Sequence, residues 1–334
     1  MLSRPPYLAL TLATSALLLG CPGPEPGPEP EWETSLELGA EVGALLSIWG
    51  STRSEVYAVG GNPDAGVIYR FDGADWEPET IPAETPLLNW IDGQSGSVWV
   101  VGNEGVALRQ TPDGWQRLDT GIDVPLWGVW GAKPDDVWAV GGDAGATGDP
   151  PPTPVIAHFD GAAWSEVPLP ALDRPSRALF KVWGTDSDHV FAVGQGGIIL
   201  YYDGAAWAQV PSGTTKDLIS LWGAGPDEIV AVGGRSNGVI SRWDGADWTT
   251  TVIGESPGLN GVWLSPAGEA WVCGVLGVTG VVSAGADTLT PETVTGYTLH
   301  ASFGFDDGEN FAVGGTLDRS PPWHGVVMSR GVTP

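Results

Sequence analysis

The sequence predicts an all-β fold, a seven-bladed β-propeller with four antiparallel strands in each blade. The first reason is a repeat in which a bulky apolar residue precedes a glycine by eleven residues. The apolar positions are Trp49, Ile91, Trp130, Trp183, Trp222, Trp263 and Phe303, and the glycines are Gly60, Gly102, Gly141, Gly194, Gly233, Gly274 and Gly314. Successive repeats lie 42, 39, 53, 39, 41 and 40 residues apart, which is the range of propeller blades. The second reason is that no stretch keeps a 3.6-residue apolar period, so helix should be nearly absent.

The third reason is the content of each repeat, which is clearest in the fourth. Its β-branched and aromatic runs predict strands at Leu179 to Trp183, Val190 to Val193, Ile198 to Tyr202 and Trp207 to Val210. Asp-Gly pairs fall between third and fourth strands, where a tight hairpin needs positive φ: Asp72-Gly73, Asp160-Gly161, Asp203-Gly204 and Asp244-Gly245. The blades therefore begin near residues 45, 87, 126, 178, 217, 259 and 298.

Residues 1–20 predict an export signal. Arg4 is followed by an apolar run from Leu8 to Leu19 that is too short to span a bilayer. The run ends in Leu18-Leu19-Gly20-Cys21, which resembles the bacterial lipobox, and the resemblance implies that Cys21 carries a lipid. An ordinary secretory signal with an incidental cysteine is the alternative.

Residues 21–31 predict a tether rich in proline and glutamate, with PGPEPGPEPE directly after the cysteine. Alternating proline favours an extended polyproline II chain, and such a composition cannot bury a core. A proline after the cysteine, rather than an aspartate, is similar to lipoproteins that are sorted to the outer membrane. We therefore expect an exported protein that is lipid-anchored to the cell envelope, at the outer membrane.

The two ends of the chain predict how the ring closes. A tryptophan opens the fourth strand of five repeats, at Trp76, Trp115, Trp164, Trp207 and Trp248, and Thr288 takes that place in the sixth. The seventh repeat runs out after its third strand, whereas Trp32 opens an orphan strand-like run, WETSLEL. Residues 32–38 should therefore complete the seventh blade, so that residues 32–334 form one propeller.

The composition limits the partners. The chain has 14 Lys+Arg against 41 Asp+Glu, a formal net charge of −27. A field of that sign repels nucleic acid and anionic headgroups, so we predict no nucleic-acid partner and membrane contact through the lipid anchor only. We expect a monomer.

Cys273 aligns with valines of other repeats, which predicts a small buried side chain and no disulfide.

Loop lengths predict a binding face. The turn between first and second strands keeps one length, whereas the gap between second and third strands grows from four residues at Gly102 to Gly105 to fourteen at Gly141 to Pro154. The links between blades also vary, and both variable classes open on one side of a propeller, which we call the variable face. The candidate ligand-binding residues on it are Trp323, His324, Arg319, Asp318, Asn103, Glu104, Asp143, Arg235 and Asn237.

Trp323 is the leading candidate among them. It follows two prolines in a long loop, beside His324, and departs from both aromatic columns. A ring in such a place can stack on a sugar or on a partner side chain. The alternative is that it packs the loop against its own blade.

The sequence predicts no catalytic residue, no metal site and no cofactor. His158 aligns with a column of long surface side chains, and no two histidines have the spacing of metal ligands. Turn formation explains Asp135-Asp136 and Asp306-Asp307 better than calcium does. Nucleophile-elbow, P-loop and dinucleotide motifs do not occur.

The repeated phrase resembles secreted bacterial β-propeller lipoproteins. The double glycine that ends the second strand, as in Gly60-Gly61, is similar to kelch repeats, and the Asp203-Gly204 to Trp207 turn resembles the sialidase Asp-box (BNR repeat). The Asp-box has a residue between Asp and Gly, which this chain lacks. Both motifs are structural, so the resemblance is specific for an architecture and implies little about activity.

Two functions remain open. The favoured one is a non-catalytic, lipid-anchored propeller that binds a protein or a glycan through the variable face, as a binding or scaffold module. The alternative is a carbohydrate-active enzyme, a glycoside hydrolase or lyase, with carboxylates such as Glu104, Asp143 or Asp149 at the channel mouth.

Overall fold

The structure, a computed structural model, describes residues 30–94, 96–149, 152–283, 285, 288–306, 308–317 and 320–332. Within them, twenty-eight strands form seven four-stranded antiparallel sheets, the blades of a β-propeller. The predicted fold class is confirmed. Every strand belongs to one compact unit, Glu31–Pro334. The predicted export signal and Cys21 lie outside the described residues.

The strand bounds follow the predicted blades. They are β1 (Trp32–Glu37), β2 (Ala44–Thr52), β3 (Glu55–Asn62), β4 (Ala65–Phe71), β5 (Trp76–Pro78), β6 (Leu88–Asp92), β7 (Trp99–Gly102), β8 (Ala107–Thr111), β9 (Gly114–Leu118), β10 (Leu126–Lys133), β11 (Asp136–Gly141), β12 (Val155–Phe159), β13 (Trp164–Val167) and β14 (Leu179–Asp186). The rest are β15 (His189–Gly194), β16 (Ile199–Tyr202), β17 (Trp207–Val210), β18 (Leu218–Gly225), β19 (Glu228–Gly233), β20 (Val239–Trp243), β21 (Trp248–Val252), β22 (Leu259–Leu264), β23 (Ala270–Gly274), β24 (Val278–Val282), β25 (Glu292–Thr293), β26 (Thr298–Gly304), β27 (Asn310–Gly315) and β28 (Gly325–Arg330).

Helix is confined, in the described residues, to short 3₁₀ turns at Asn103–Gly105, Gln195–Gly197 and Val275–Gly277. Each turn joins the second strand of a blade to the third. Nowhere in the described ranges is there a helix with the length and apolar character needed to cross a bilayer.

The ring closes as predicted. The N-terminal strand β1 pairs antiparallel with β28, from Trp32 opposite Arg330 to Glu37 opposite Val326, and gives the seventh blade the order β1-β28-β27-β26. The two ends of the propeller thus share one backbone ladder, which leaves no blade with a missing outer strand.

The Asp-Gly pairs form the predicted turns. Asp203 Oδ1 accepts the N–H groups of Ala205 and Ala206 at 3.0 and 2.9 Å, and Gly204 takes a φ of 86°. The pairs beginning at Asp72, Asp160 and Asp244 repeat this arrangement. These N–H donors stabilise the carboxylate form and hold the pKa of each aspartate below its usual range.

Tryptophans of the fourth strands join neighbouring blades. Those of the first five blades pack edge-to-face on an aromatic residue in the second strand of the preceding blade, with centroids 5.2 to 6.3 Å apart and ring planes at 80 to 90°. The pairs are Trp76–Phe311, Trp115–Tyr57, Trp164–Trp99, Trp207–Trp138 and Trp248–Phe191. Such pairs contribute about 0.5 to 1.5 kcal/mol each beyond their buried area, so the repeated tryptophan is a contact between blades.

The sixth blade departs from this rule. Its fourth strand, β25, begins at Glu292 rather than at the predicted Thr288, and it is two residues long. Leu289 packs instead against the core cluster that contains Val230, where the other interfaces have aromatic rings. Cys273, in the second strand of this blade, is fully buried as predicted, and burial raises the pKa of its thiol to about 12.

The first apolar column needs one correction. Trp49 pairs with Tyr57, and the residue in the equivalent place of the second blade is Asp92, which pairs with Trp99. Ile91 is therefore one position out of the column, and the turn that follows is one residue shorter than its counterparts, so the predicted constant turn length is wrong there. The spacing of eleven residues between Ile91 and Gly102 hid this difference. Ile91 lies one residue before the true column position, and the turn after it is one residue shorter, so the two changes cancel.

Asp92 replaces a ring with a buried carboxylate. In the first, third, fourth and sixth blades the tryptophan lies on the glycine of the next blade, as Trp49 does on Gly93, where a Cβ would come within 2.4 Å of the ring. The Asp92 carboxylate instead accepts backbone N–H groups of Gln94, Gly131 and Gly93, of which Gly131 belongs to the next blade. Burial outweighs these bonds and raises the pKa of Asp92 to about 7.

Candidate functional site at the channel mouth

The innermost strand of every blade carries a β-bulge at the same place, directly after a leucine. In the first blade Leu45 pairs with Gly60 and Ser47 with Val59, which leaves Leu46 as the extra residue. The seven extra residues are Leu46, Asn89, Trp127, Phe180, Ile219, Asn260 and His300. A bulge re-aims the side chain of its extra residue, so the fold places seven unlike side chains at equivalent positions of one ring.

These seven residues line a single cavity of about 370 Å³, which we call the channel cavity. Because each blade contributes its innermost strand, the cavity lies at the centre of the ring. Its remaining described lining residues are Ala144, Lys181, Arg235, Val275, Thr298 and Leu317. Four of these belong to connections between second and third strands, so the cavity opens on the variable face.

Lys181 is a buried residue that lines the channel cavity. It directly follows the bulge of the fourth blade, at a position that other blades fill with Ser47, Trp90, Gly128, Ser220, Gly261 or Ala301. Its Nζ donates to the carbonyls of Trp127 and Phe180 at 2.9 and 3.0 Å. It also lies 4.0 Å from the ring centroid of Trp90. Two carbonyls and an aromatic face therefore hold this ammonium group.

Gly128 allows the contact between Lys181 and Trp90 to form. Lys181 and Trp90 are two blades apart, and the intervening blade has Gly128 in the same column. A Cβ on Gly128 would lie 2.9 Å from Lys181 Cα, too close for any side chain. Because the third blade has no side chain there, its inner strand can approach that of the fourth blade closely enough for Lys181 to extend to the second.

Burial shifts the protonation of the basic groups. Lys181 is 8% exposed, and desolvation lowers its pKa to about 7. Desolvation, and then the charge of Lys181, lower the pKa of His300 to about 4. The third basic residue, Arg235, extends to the rim, where its Nε lies 2.9 Å from Asp217 Oδ2. No described residue in the cavity lining is an aspartate or glutamate.

The two bulge asparagines join neighbouring blades. Asn89 Nδ2 donates to the Leu126 carbonyl at 3.0 Å, and Asn260 Nδ2 donates to the Leu299 carbonyl at 2.9 Å. A carbonyl can only accept, so the amide nitrogen must face it, and the amide oxygen of Asn89 turns away. Among the described residues, neither Asn89 Oδ1 nor His300 Nε2 has a hydrogen-bond partner, although both atoms are buried. The site thus holds two unused acceptors.

Trp323 lines a second, smaller cavity of about 200 Å³ on the variable face. The loop is fixed by a hydrogen bond from the Trp323 N–H to the Ala40 carbonyl at 2.9 Å, and His324 stacks on Tyr297 with centroids 4.9 Å apart. Asn103 lines the same cavity, and Leu317 lines both this one and the channel cavity. Both rings are half-buried, so the loop itself takes up part of their surface.

The predicted site residues divide into four groups. Arg235 lines the channel cavity, and Trp323 and Asn103 line the smaller one beside it. Glu104, Asp143 and Asn237 are exposed on the same face but line neither cavity. His324 is held by its stack on Tyr297, and Asp318 and Arg319 lie outside the described residues.

The bulge ring and Lys181 were not predicted from the sequence. A signal was present in the sequence. A leucine precedes each extra residue in all seven repeats, whereas the extra residue itself is apolar in four repeats, asparagine in two and histidine in one. Loop length drew attention to the rim, whereas the cavity is lined mostly from the ends of strands. His158, expected at the surface, is half-buried, with Nε2 at 2.7 Å from Asp136 Oδ1 and its ring on Trp138.

Comparisons with known proteins show the fold and leave the family open. No protein-family model matches the chain. One curated relative, the immune protein Tsi7 of Pseudomonas aeruginosa, is 32% identical over 84 residues, which is 25% of this chain and 26% of that protein. The match therefore spans about a quarter of that relative's length.

Solved propellers are similar over nearly the whole chain. YCF48 bound to D1 peptide has a TM-score of 0.64 at 16% identity, covering 91% of this chain and 97% of that one. YCF48 from Cyanidioschyzon merolae gives 0.64 at 15%, covering 90% and 98%. The WD40 β-propeller domain of Doa1 gives 0.65 at 11%, covering 89% and 96%. At these identities the likeness establishes the seven-bladed fold alone.

Proposed function

We propose that this chain is a non-catalytic, lipid-anchored β-propeller of the cell envelope that binds a protein partner at the channel mouth of its variable face. The observation that carries the proposal is a pocket in which buried polar atoms, without a partner in the described structure, lie next to exposed apolar side chains. Unpartnered polar atoms of Asn89 and His300 lie beneath a rim of exposed apolar side chains. A propeller fold is consistent with a protein-binding scaffold, and the site has to supply the specificity.

The apolar rim supports a macromolecular ligand. The described large hydrophobic residues with the greatest exposure are Leu276, Leu317 and Val252, at 71%, 55% and 49%. Leu317 lines the channel cavity, and Leu276 follows Val275, which also lines it. Leu276 stands at the tip of its turn with a φ of 61°, a conformation that L-residues rarely adopt. Exposed leucines around a polar pocket are typical of a protein interface.

The comparisons are compatible with this function. One similar propeller is named as bound to a peptide, and that statement concerns that protein. Its low identity to this chain carries over only an architecture that can hold a peptide.

The carbohydrate-active alternative is not favoured. Hydrolysis of a glycoside needs two carboxyl groups that face each other across a cleft. Glu104, Asp143 and Asp149 are exposed, and the described lining of the channel cavity contains no carboxylate. The cavity is basic, which is the opposite of what that chemistry requires.

Affinity purification from the native envelope tests the proposed face. We expect the propeller to retain a discrete partner polypeptide and the double variant Leu276→Glu, Leu317→Glu to lose it, because two charges interrupt the apolar rim. Val252→Glu is the matched control, since this exposed residue lies on the outermost strand of the fifth blade. Equal recovery with the double variant and the control would contradict the proposed face.

The anchor is a separate proposal that rests on the sequence around Cys21. Mass spectrometry of the mature protein should find a chain that starts at Cys21 and carries lipid, and Cys21→Ser should release the protein from membranes. A mature chain that retains residues 1–20, or that lacks lipid, would contradict the anchor while leaving the proposed binding face intact.

A further inference from the structure

We infer that the channel cavity binds the C-terminal carboxylate of a partner polypeptide, with the last apolar side chain of that polypeptide lying inside the cavity. This inference rests on the proposed function, and it names the part of the partner that the site recognises. Three independent properties of the cavity carry it: the sign of its charge, its unused hydrogen-bond acceptors and its apolar arc.

The charge of the cavity opposes that of the chain. The protein has a formal net charge of −27, yet the basic side chains of Lys181 and Arg235 converge on the channel cavity beside the neutral imidazole of His300, and no described lining residue is acidic. Asp217 pairs with Arg235 at the rim, whereas the contacts of Lys181 Nζ in the described structure are two carbonyls and the Trp90 ring, none of which is an anion. A buried ammonium without an anion is unfavourable, and a ligand carboxylate supplies the missing charge.

The unused acceptors distinguish a chain terminus from other anions. A C-terminal residue presents a carboxylate and a backbone N–H donor that are attached to the same Cα. Asn89 Oδ1 is a buried acceptor on a residue that is 3% exposed, and within the described structure it has no partner. Sulfate has no donor, the P–OH donor of phosphate lies on the charged group itself, and an aspartate carboxylate is separated from its backbone N–H by rotatable side-chain bonds. The pairing of positive charge with a free acceptor therefore fits a peptide end.

The His300 imidazole can also bind the carboxylate of a chain terminus when it gains a proton. Its ring has a hydrogen bond to the backbone of Gly315, while Nε2 has no partner among the described residues. Protonated Nε2 can donate to a carboxylate oxygen, and a nearby negative charge raises the pKa of an imidazole and of an ammonium. Binding a carboxylate should therefore take up a proton near neutral pH, shared between His300 and Lys181.

The apolar arc accommodates a side chain. Trp127, Phe180 and Ile219 occupy the consecutive bulge positions of the third, fourth and fifth blades, whereas the amide and imidazole groups belong to the second, sixth and seventh blades. Trp127 is fixed by a hydrogen bond from Nε1 to the Gly142 carbonyl at 2.8 Å, so its ring is held in place. A cavity of about 370 Å³ has room for one or two residues and too little for a folded element.

A peptide library in three chemical forms tests the inference on the propeller (residues 31–334), in which every blade has its complete backbone ladder. The probes are N-acetylated hexapeptides with randomised apolar residues at the last two positions. One set ends in a free carboxylate, the second ends in a carboxamide, and the third ends in a carboxamide but carries a glutamate at the fourth position. We expect the free acids to bind at least tenfold more tightly than both other sets.

Titration calorimetry on the best free acid supplies a second readout. At pH 7.5, in two buffers with different ionisation enthalpies, binding of the acid should take up protons, and binding of the matched amide should not. Arg235→Gln should weaken the acid more than the amide, and it should fold normally because its side chain is 62% exposed. Arg117→Gln, an equal charge change on an exposed outer strand, is the control.

The outcomes separate this inference from the proposed function. Equal binding of acids and amides that is lost in Leu276→Glu, Leu317→Glu overturns the carboxylate inference and leaves a peptide-binding face. Preference for the glutamate set assigns the charge to a side chain and also overturns it. If no member of any set binds, while the native partner is still captured at this face, the inference fails alone; if neither occurs, both fail.

Discussion

The ammonium group of Lys181 lies 4.0 Å from the ring centroid of Trp90, a residue two blades away around the ring. Both residues follow a β-bulge in an innermost strand, at a position where most other blades have serine, glycine or alanine. The pair therefore makes one side of the channel cavity chemically different from the others. Asymmetry of this kind is what a repeat protein needs to recognise a ligand that has no sevenfold symmetry.

Replacing Lys181 tests its protonation. Its pKa, about 7 when folded, lies below the ordinary value of about 10.4, so between these values the unfolded chain binds more protons and the stability of the wild type rises with pH. Lys181→Met removes that rise, which should amount to a few kcal/mol at most. Urea unfolding of both proteins from pH 7 to pH 10 measures the difference. Parallel stability curves would show that Lys181 titrates normally.

Gly128 should not tolerate a side chain. Its Cβ would meet the Lys181 backbone at 2.9 Å, so Gly128→Ala forces the third and fourth blades apart and should cost about 1 to 3 kcal/mol. Gly225→Ala is the matched control, because a Cβ added there would have no atom within 4 Å, and it should change stability by less than about 0.5 kcal/mol. Equal midpoints in urea for the two variants would refute the close approach.

Asp92 should make the protein less stable as the pH rises. Its pKa is raised to about 7, above the unfolded value of about 3.9, so its contribution is fully present below pH 4 and is lost as the pH rises through 7. Asp92→Asn keeps an acceptor oxygen and does not ionise. The variant should therefore gain stability over the wild type between pH 4 and pH 8, measured by urea unfolding. A constant difference across that range would contradict a buried, titrating Asp92.

The Asp-Gly turns should respond to acid with the opposite sign. The pKa of Asp203 is lowered by the N–H groups of Ala206 and Ala205, so its stabilising effect is present above pH 4 and is lost as the pH falls. Asp203→Ala should lower the thermal midpoint at pH 7, and the difference should shrink towards pH 3. Asp203→Asn retains the acceptor and should stay nearer the wild type. An alanine effect that does not change with pH would contradict the role of the carboxylate.

Much of the fold could be predicted because each signal acts locally within one repeat. A glycine after the second strand, an Asp-Gly turn and a tryptophan at the start of the fourth strand each fix one piece of backbone or one contact between blades. Ring closure followed from the position of Trp32 and from the seventh repeat, which runs out after its third strand. Two predictions failed: the start of β25, where no tryptophan marks the strand, and the position of Ile91, where a shortened turn preserved the spacing that identified the column.

The candidate site was harder to predict because it depends on register. A bulge adds one residue to a strand without any change in composition, so nothing marks Asn89 or His300 as members of one ring until the pairing is known. Lys181 resembles an ordinary strand lysine in the sequence. Its burial depends on Gly128 and Trp90, which lie 53 and 91 residues earlier in the chain. Loop length indicated the face on which the channel cavity opens. Of the binding residues predicted from it, Arg235 also lines the channel cavity.

Photo-cross-linking in the native envelope tests the central claim, that the channel mouth of the variable face is the binding site. A photoreactive amino acid at position 276 should give one discrete adduct with a partner polypeptide, whereas the same group at position 54, in a turn on the opposite face, should give none. Addition of a free-acid hexapeptide should suppress the adduct in proportion to its occupancy of the channel cavity. Adducts of equal yield from both positions, or from position 54 alone, would contradict the claim.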